Sequence, residues 1–89
     1  MLQTLEEWEV VGKVVHYFGH ADVAVIKLDK GLKKGDKIRI VGGVDTDFEQ
    51  EVKSMEVDHK KIEKAKKGDE IGLKVTERVR NGYKVLMAK

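Results

Sequence analysis

The stretch Gly31-Leu32-Lys33-Lys34-Gly35-Asp36-Lys37-Ile38-Arg39-Ile40 constrains the fold most, because it reads as a tight turn feeding a strand. Two glycines four residues apart let a backbone reach positive φ without a Cβ penalty. Asp36 is placed to accept hydrogen bonds from local amides as the turn closes. Ile38 and Ile40 then alternate with Lys37 and Arg39, the two-residue period of a half-buried strand. Ala65-Lys66-Lys67-Gly68-Asp69-Glu70-Ile71-Gly72-Leu73 echoes this: a basic approach, a Gly-Asp turn, then alternation. Gly31, Gly35, Asp36, Gly68 and Asp69 are therefore read as turn-makers. Two such units in 89 residues predict a small meander or Greek-key barrel.

The remaining chain supplies further strands. Val10, Val11, Val14, Val15 and Tyr17 are strand formers, so a first strand is expected over Glu6 to Phe18. Gly12 within it marks a bulge or a close backbone contact. Trp8 is read as core or as a lid on one end of the barrel, with base stacking as the functional alternative. Gly19-His20 is a turn, and Ala21 to Leu28 and Lys37 to Val41 are the second and third strands. Phe48 to Asp58 is the fourth, with a change of phase between Val52 and Met55 that predicts a bulge or a bend. Ile62 and Ala65, three apart, fit one helical turn within His59 to Lys67. Glu70 to Val75 and Tyr83 to Met87 complete the set, separated by a basic loop. The expectation is all-β: a six-stranded closed Greek-key barrel occupying residues 1–89 as one domain.

Composition narrows function. Charged residues make up 38% of the chain, mostly Lys and Glu, and cysteine is absent. Neither disulfides nor thiolate metal sites are available. High charge with few amides is the bias of proteins from hot environments. No apolar run spans a bilayer and no leader pattern opens the chain, so a cytoplasmic location without membrane attachment is expected. The net charge of +2 is unevenly spread: residues 58–89 balance at +5 and residues 1–57 at −3. A basic C-terminal third can face a phosphate backbone or serve as a solvated surface.

Chemistry-bearing patterns are sparse. There is no G-x-x-x-x-G-K-[ST] loop, so no nucleotide is expected in a P-loop. Ser54 is the single serine and lacks a nucleophile elbow. His16 and His20 are four apart, but on a strand and turn they need not converge on a metal. The carboxylates are scattered, with no pair marked for acid–base work. The residues therefore predict no enzyme, no cofactor and no metal.

Three segments carry a family resemblance. They are Gly19-His20-Ala21-Asp22-Val23-Ala24-Val25-Ile26-Lys27-Leu28; Leu32-Lys33-Lys34-Gly35-Asp36-Lys37-Ile38; and Val52-Lys53-Ser54-Met55-Glu56-Val57-Asp58-His59 followed by Glu63 to Gly72. Over about Val10 to Met87 the chain resembles the second-domain β-barrel of translational GTPases, the elongation factor Tu and initiation factor 2 type. The last segment is also shared with barrel domains appended to some collagenase-like peptidases. The resemblance implies a free-standing translation-factor-like barrel and places Glu56 where elongation factors set a glutamate against the end of tRNA.

The expected function is then a non-catalytic, RNA- or ribosome-associated accessory module. Its contacts would be Lys33, Lys34, Lys60, Lys61, Lys64, Lys66, Lys67, Arg78 and Arg80, with Glu56 from the resemblance. The alternative is a module that docks on a protein partner, a translation component or an enzyme, through edge strands or exposed apolar residues such as Trp8 or Phe48.

Overall fold

The structure is a computed structural model and describes residues 8–88; the expected start of the first strand at Glu6-Glu7 lies outside them. Ten strands and no helix occur among the described residues. In chain order they are β1 (Trp8–Phe18), β2 (Val23–Leu28), β3 (Leu32–Lys33), β4 (Lys37–Gly42), β5 (Thr46–Glu51), β6 (Met55–Val57), β7 (Lys60–Ile62), β8 (Lys64–Ala65), β9 (Glu70–Lys74) and β10 (Lys84–Ala88). Eight form one sheet in the order β5-β4-β10-β1-β2-β9-β6-β7, and β3 pairs with β8 separately. Every pairing is antiparallel.

β1 is the central strand, and it must pair on both edges while curving around the core. Two register shifts permit this, one against β10 between Val10 and Gly12 and one against β2 between Val14 and His16. Each bulge adds a residue and a bend. The first brings Val11 into the core beside Gly12, and Val14 follows. A Cβ on Gly12 would lie 2.6 Å from the Lys27 carbonyl oxygen, so only glycine permits this approach of β2.

The repeated turns are locally equivalent. Asp36 accepts from the Lys33 amide at 2.9 Å, and Asp69 from the Lys66 amide at 3.0 Å. Gly35 and Gly68 hold φ of 98° and 93°. Each turn then clasps the end of another strand. The Gly35 amide donates to the Val52 carbonyl and the Asp36 carbonyl accepts from the Val52 amide; Gly68 and Asp69 do the same with Leu28. Between the turns, Leu32 stands opposite Ala65 in the β3–β8 pair. That antiparallel pair therefore relates the two turns by an approximate two-fold. Downstream of them, Ile38, Ile40, Ile71 and Leu73 enter one buried cluster with Ala24, Ile26, Leu28, Met55 and Val85.

Three expectations are corrected by the architecture. First, the ladder does not close into a six-stranded barrel: β5 and β7 are its two ends. Where β5 approaches the end of β9, one side chain spans the gap. Gln50 donates through Nε2 to the Lys74 carbonyl and accepts through Oε1 from the Thr76 amide, both at 2.9 Å. Second, the expected fourth strand is two strands. The chain leaves the ladder at Val52-Lys53-Ser54, which resets the phase so that both Val52 and Met55 are buried. Third, no helical turn follows His59. β6 and β7 form a hairpin in which Val57 pairs with Lys60 and Met55 with Ile62. Its two-residue loop, Asp58-His59, has φ of 52° and 65°. That is the double positive φ of a turn matched to strand twist, built here without glycine or asparagine. Trp8 lies within β1, half-buried, with the Arg39 guanidinium 5.3 Å from its ring centroid.

Candidate functional site: two grooves and a lysine-rich end

The predicted contact residues do not gather in one place. Lys33, Lys34 and Lys64 line one shallow hollow of about 420 Å³ together with Glu63. Lys33 and Lys64 are direct cross-strand neighbours, a like-charge pair that is unfavourable without a partner. Lys66 and Lys67 sit on the second of the two equivalent turns, which β8 joins to this pair. Lys60 and Lys61 are on edge strand β7, where Lys61 stands opposite Glu56. Arg78 and Arg80 are on the loop between β9 and β10, and the Arg78 charge acts on Tyr17. Burial, together with a hydrogen bond to Asp22, holds the Tyr17 phenol above its ordinary pKa.

The acidic strand β5 is largely neutralised on its outer face. Arg39 donates to both oxygens of Asp47, from Nε at 2.7 Å and from an η nitrogen at 2.6 Å. This fork holds the Asp47 carboxyl below its usual range. Lys37 and Glu49 pair at 3.0 Å, and Lys30 pairs with Glu9.

Two larger grooves lie among the described residues. One, of about 770 Å³, lies at the unclosed gap between β5 and β9 and is lined by Asp22, Gln50, Lys53, Ser54, Lys74 and Thr76 among others. Ser54 is in this groove without a histidine in its lining, so no imidazole base is beside the hydroxyl. The other, of about 590 Å³, runs over the outer face of β2, β9 and β6. Phe18 and His20 stand on one side of it, Glu56, Asp58 and His59 on the other, and Gly72 in its floor. Sequence reasoning named only Glu56 here. The signal available was the alternation of His16, Phe18 and His20, which sets three rings in an edge-to-face series with centroids 4.4 and 6.4 Å apart. Among the described residues no group of three or more His, Cys, Asp or Glu side chains is placed to hold a metal ion. No helix there is long and apolar enough to cross a membrane.

The fold is shared with the C-terminal domain of a protein named as a U32 peptidase. Two crystal structures of that domain, from a Geobacillus thermoleovorans protein assigned to the U32 peptidases, superpose on this chain. The selenomethionine variant gives a TM-score of 0.82 at 16% identity, covering 86% of this chain and 96% of that one. The other gives 0.78 at 18% identity, covering 91% and 92%. A particular sequence relative is an uncharacterised protease of Methanocaldococcus jannaschii, 42% identical over 79 residues. Those residues are 89% of this chain but 19% of the relative, so the chain spans about a fifth of that protein's length. No protein-family profile matches the chain.

These matches correct the resemblance to the second domain of translational GTPases, and with it the RNA- or ribosome-associated translation module. They also correct the exclusion of enzymes, since the relative is named a protease and the solved neighbours come from a peptidase-type protein. The physical reason is that the Gly-Asp turn with its alternating strand is a local solution to a sharp bend. Any chain that needs positive φ and a capped amide at that corner selects the same residues, so the motif marks the corner and not the protein that carries it.

Proposed function

We propose that this chain serves a U32-type peptidase as its β domain, working together with a protease body as one folded unit of residues 1–89 in the cytoplasm. One observation carries the reading: 42% identity along nearly the whole chain to a segment of a protein named as a protease. The fold shared with a peptidase's C-terminal domain supports it. The partner in this reading is a protein, with Lys33, Lys34, Lys66 and Lys67 as candidate contacts to it.

A chimera tests this. The matching segment of the archaeal relative is deleted, or replaced by this chain, and both products are compared with the intact relative. Thermal unfolding and hydrolysis of fluorescein-labelled casein are read in parallel. The deletion should unfold at lower temperature and lose any hydrolysis the intact protein shows, and the chimera should recover most of both. A chimera indistinguishable from the deletion in unfolding and in hydrolysis would overturn the reading.

A further inference from the structure

We infer that the groove over β2, β9 and β6 is a binding site for a cationic side chain, lysine or arginine, carried on an extended polypeptide. The inference stands on the groove alone and does not depend on the protease reading. Its shape comes first. Gly72 leaves the floor open: a Cβ built there comes no nearer than 3.6 Å to the Val23 side chain and 3.9 Å to the Glu56 carbonyl oxygen. Space that a side chain could fill has been left empty at a position where neither sterics nor backbone φ demands glycine.

The walls select the ligand. Phe18 is 43% exposed, a large apolar ring held in the open on one side of the groove. His16 and His20 lie edge-to-face with it, at 4.4 and 6.4 Å between centroids. Glu56, Asp58 and Glu70 bring three carboxylates to the lining. No lysine or arginine lines it, although the chain has 18. Lys61 and Lys27 stand opposite Glu56 and Glu70 in the ladders but outside the groove. An apolar floor with an aromatic wall and an anionic rim matches an aliphatic stem ending in a positive charge. The methylenes lie along Val23 and Val25 beside the Phe18 ring, and the head reaches the carboxylates across the groove. A phosphate backbone would meet the same carboxylates as repulsion.

The hairpin tip adds to the site. Asp58 and His59 both sit at positive φ, which holds Asp58 and the His59 ring at the groove's margin. Residues held in costly backbone conformations concentrate at binding sites, where the surroundings fix them.

The experiment is an NMR titration of the full, ¹⁵N-labelled chain with blocked pentapeptides of alanine around one central arginine, lysine or glutamate. The arginine and lysine peptides should shift the amides of Ala21, His59 and Gly72, and salt should weaken the effect. The glutamate peptide should not shift them. Phe18→Ala removes the apolar wall beside the stem and should weaken the arginine and lysine peptides alike, about two- to five-fold. Gly72→Val places a strand-forming side chain in the floor and should abolish the shifts, with a thermal melt showing that the variant is folded. The inference is overturned by shifts that centre on the acidic strand β5, by equal binding of the glutamate peptide, by unaltered binding to folded Gly72→Val, or by no shift at about 10 mM peptide, a concentration that would reveal even millimolar affinity.

Discussion

Replacing Gln50 with alanine removes both side-chain bonds that join the end of β5 to the end of β9. The loss can be sized from the structure. Each neutral hydrogen bond contributes about 0.5–1.5 kcal/mol net, so the pair is worth about 1–3 kcal/mol. Gln50 is only half-buried, and water can reach the Lys74 carbonyl and Thr76 amide once the side chain is gone. That discounts the figure to about 1–2 kcal/mol. For a domain of this size each kcal/mol moves the melting temperature by about 4–8 °C, so Gln50→Ala should melt about 4–16 °C lower. Urea unfolding should show a lower midpoint at an unchanged slope, since the surface exposed on unfolding hardly changes. Gln50→Glu sharpens the test. A carboxylate still accepts from Thr76 but sets oxygen against oxygen at Lys74. Only the protonated acid can donate there, so its folded-state pKa is raised above the unfolded value of about 4.3. Its stabilising contribution is then present below about pH 4.3 and lost as pH rises through the folded-state pKa. The deficit of Gln50→Glu relative to the parent should therefore be smallest in acid. A Gln50→Ala melt within about 1 °C of the parent, outside the range worked above, would refute the idea that this side chain closes the sheet.

Two further perturbations read other parts of the structure. His59→Gly relieves one positive φ in the β6–β7 turn, worth about 1–2 kcal/mol, against an unfolded-state entropy cost of about 0.4–1 kcal/mol. The variant should melt a few degrees higher while binding the arginine peptide no better; a lower melting temperature would show that the His59 ring contributes more than its backbone costs. Asp47→Asn removes the acceptor fork for Arg39. Because the Asp47 pKa is lowered in the folded state, its contribution is present above the ordinary value of 3.8 and lost as pH falls through the folded-state pKa. The parent's advantage over Asp47→Asn in thermal melts should hold near neutrality and vanish in strong acid; an advantage that persists there would point to packing instead.

Local chemistry was legible in the residues alone. Alternating Ile38/Ile40 and Ile71/Leu73 required strands with one buried face, and all four residues do enter one core. The run Val10 to Tyr17 required a long strand, with Gly12 at a close approach. These follow from the two-residue period and from the steric freedom of glycine, which act within a few residues. Other features emerge only once the strands are assembled. The phase change between Val52 and Met55 marked an irregularity in the sequence, but Val52-Lys53-Ser54 carries no breaker residue to show that the strand parts in two there. Asp58-His59 lacks the glycine or asparagine that usually marks a double positive φ turn, though Asp and His tolerate that region better than most residues; the turn is evident once Met55 is seen to pair with Ile62. Gln50 bridges to Lys74 and Thr76 across 24 and 26 residues, and the groove joins Phe18, Glu56 and Gly72 from three strands. Such contacts depend on where distant segments meet, and no local period encodes that. The same limit explains the corrected resemblance: the shared turns report a bend, while the 42% identity over 79 residues is to a protein named as a protease and the fold is shared with a peptidase's C-terminal domain.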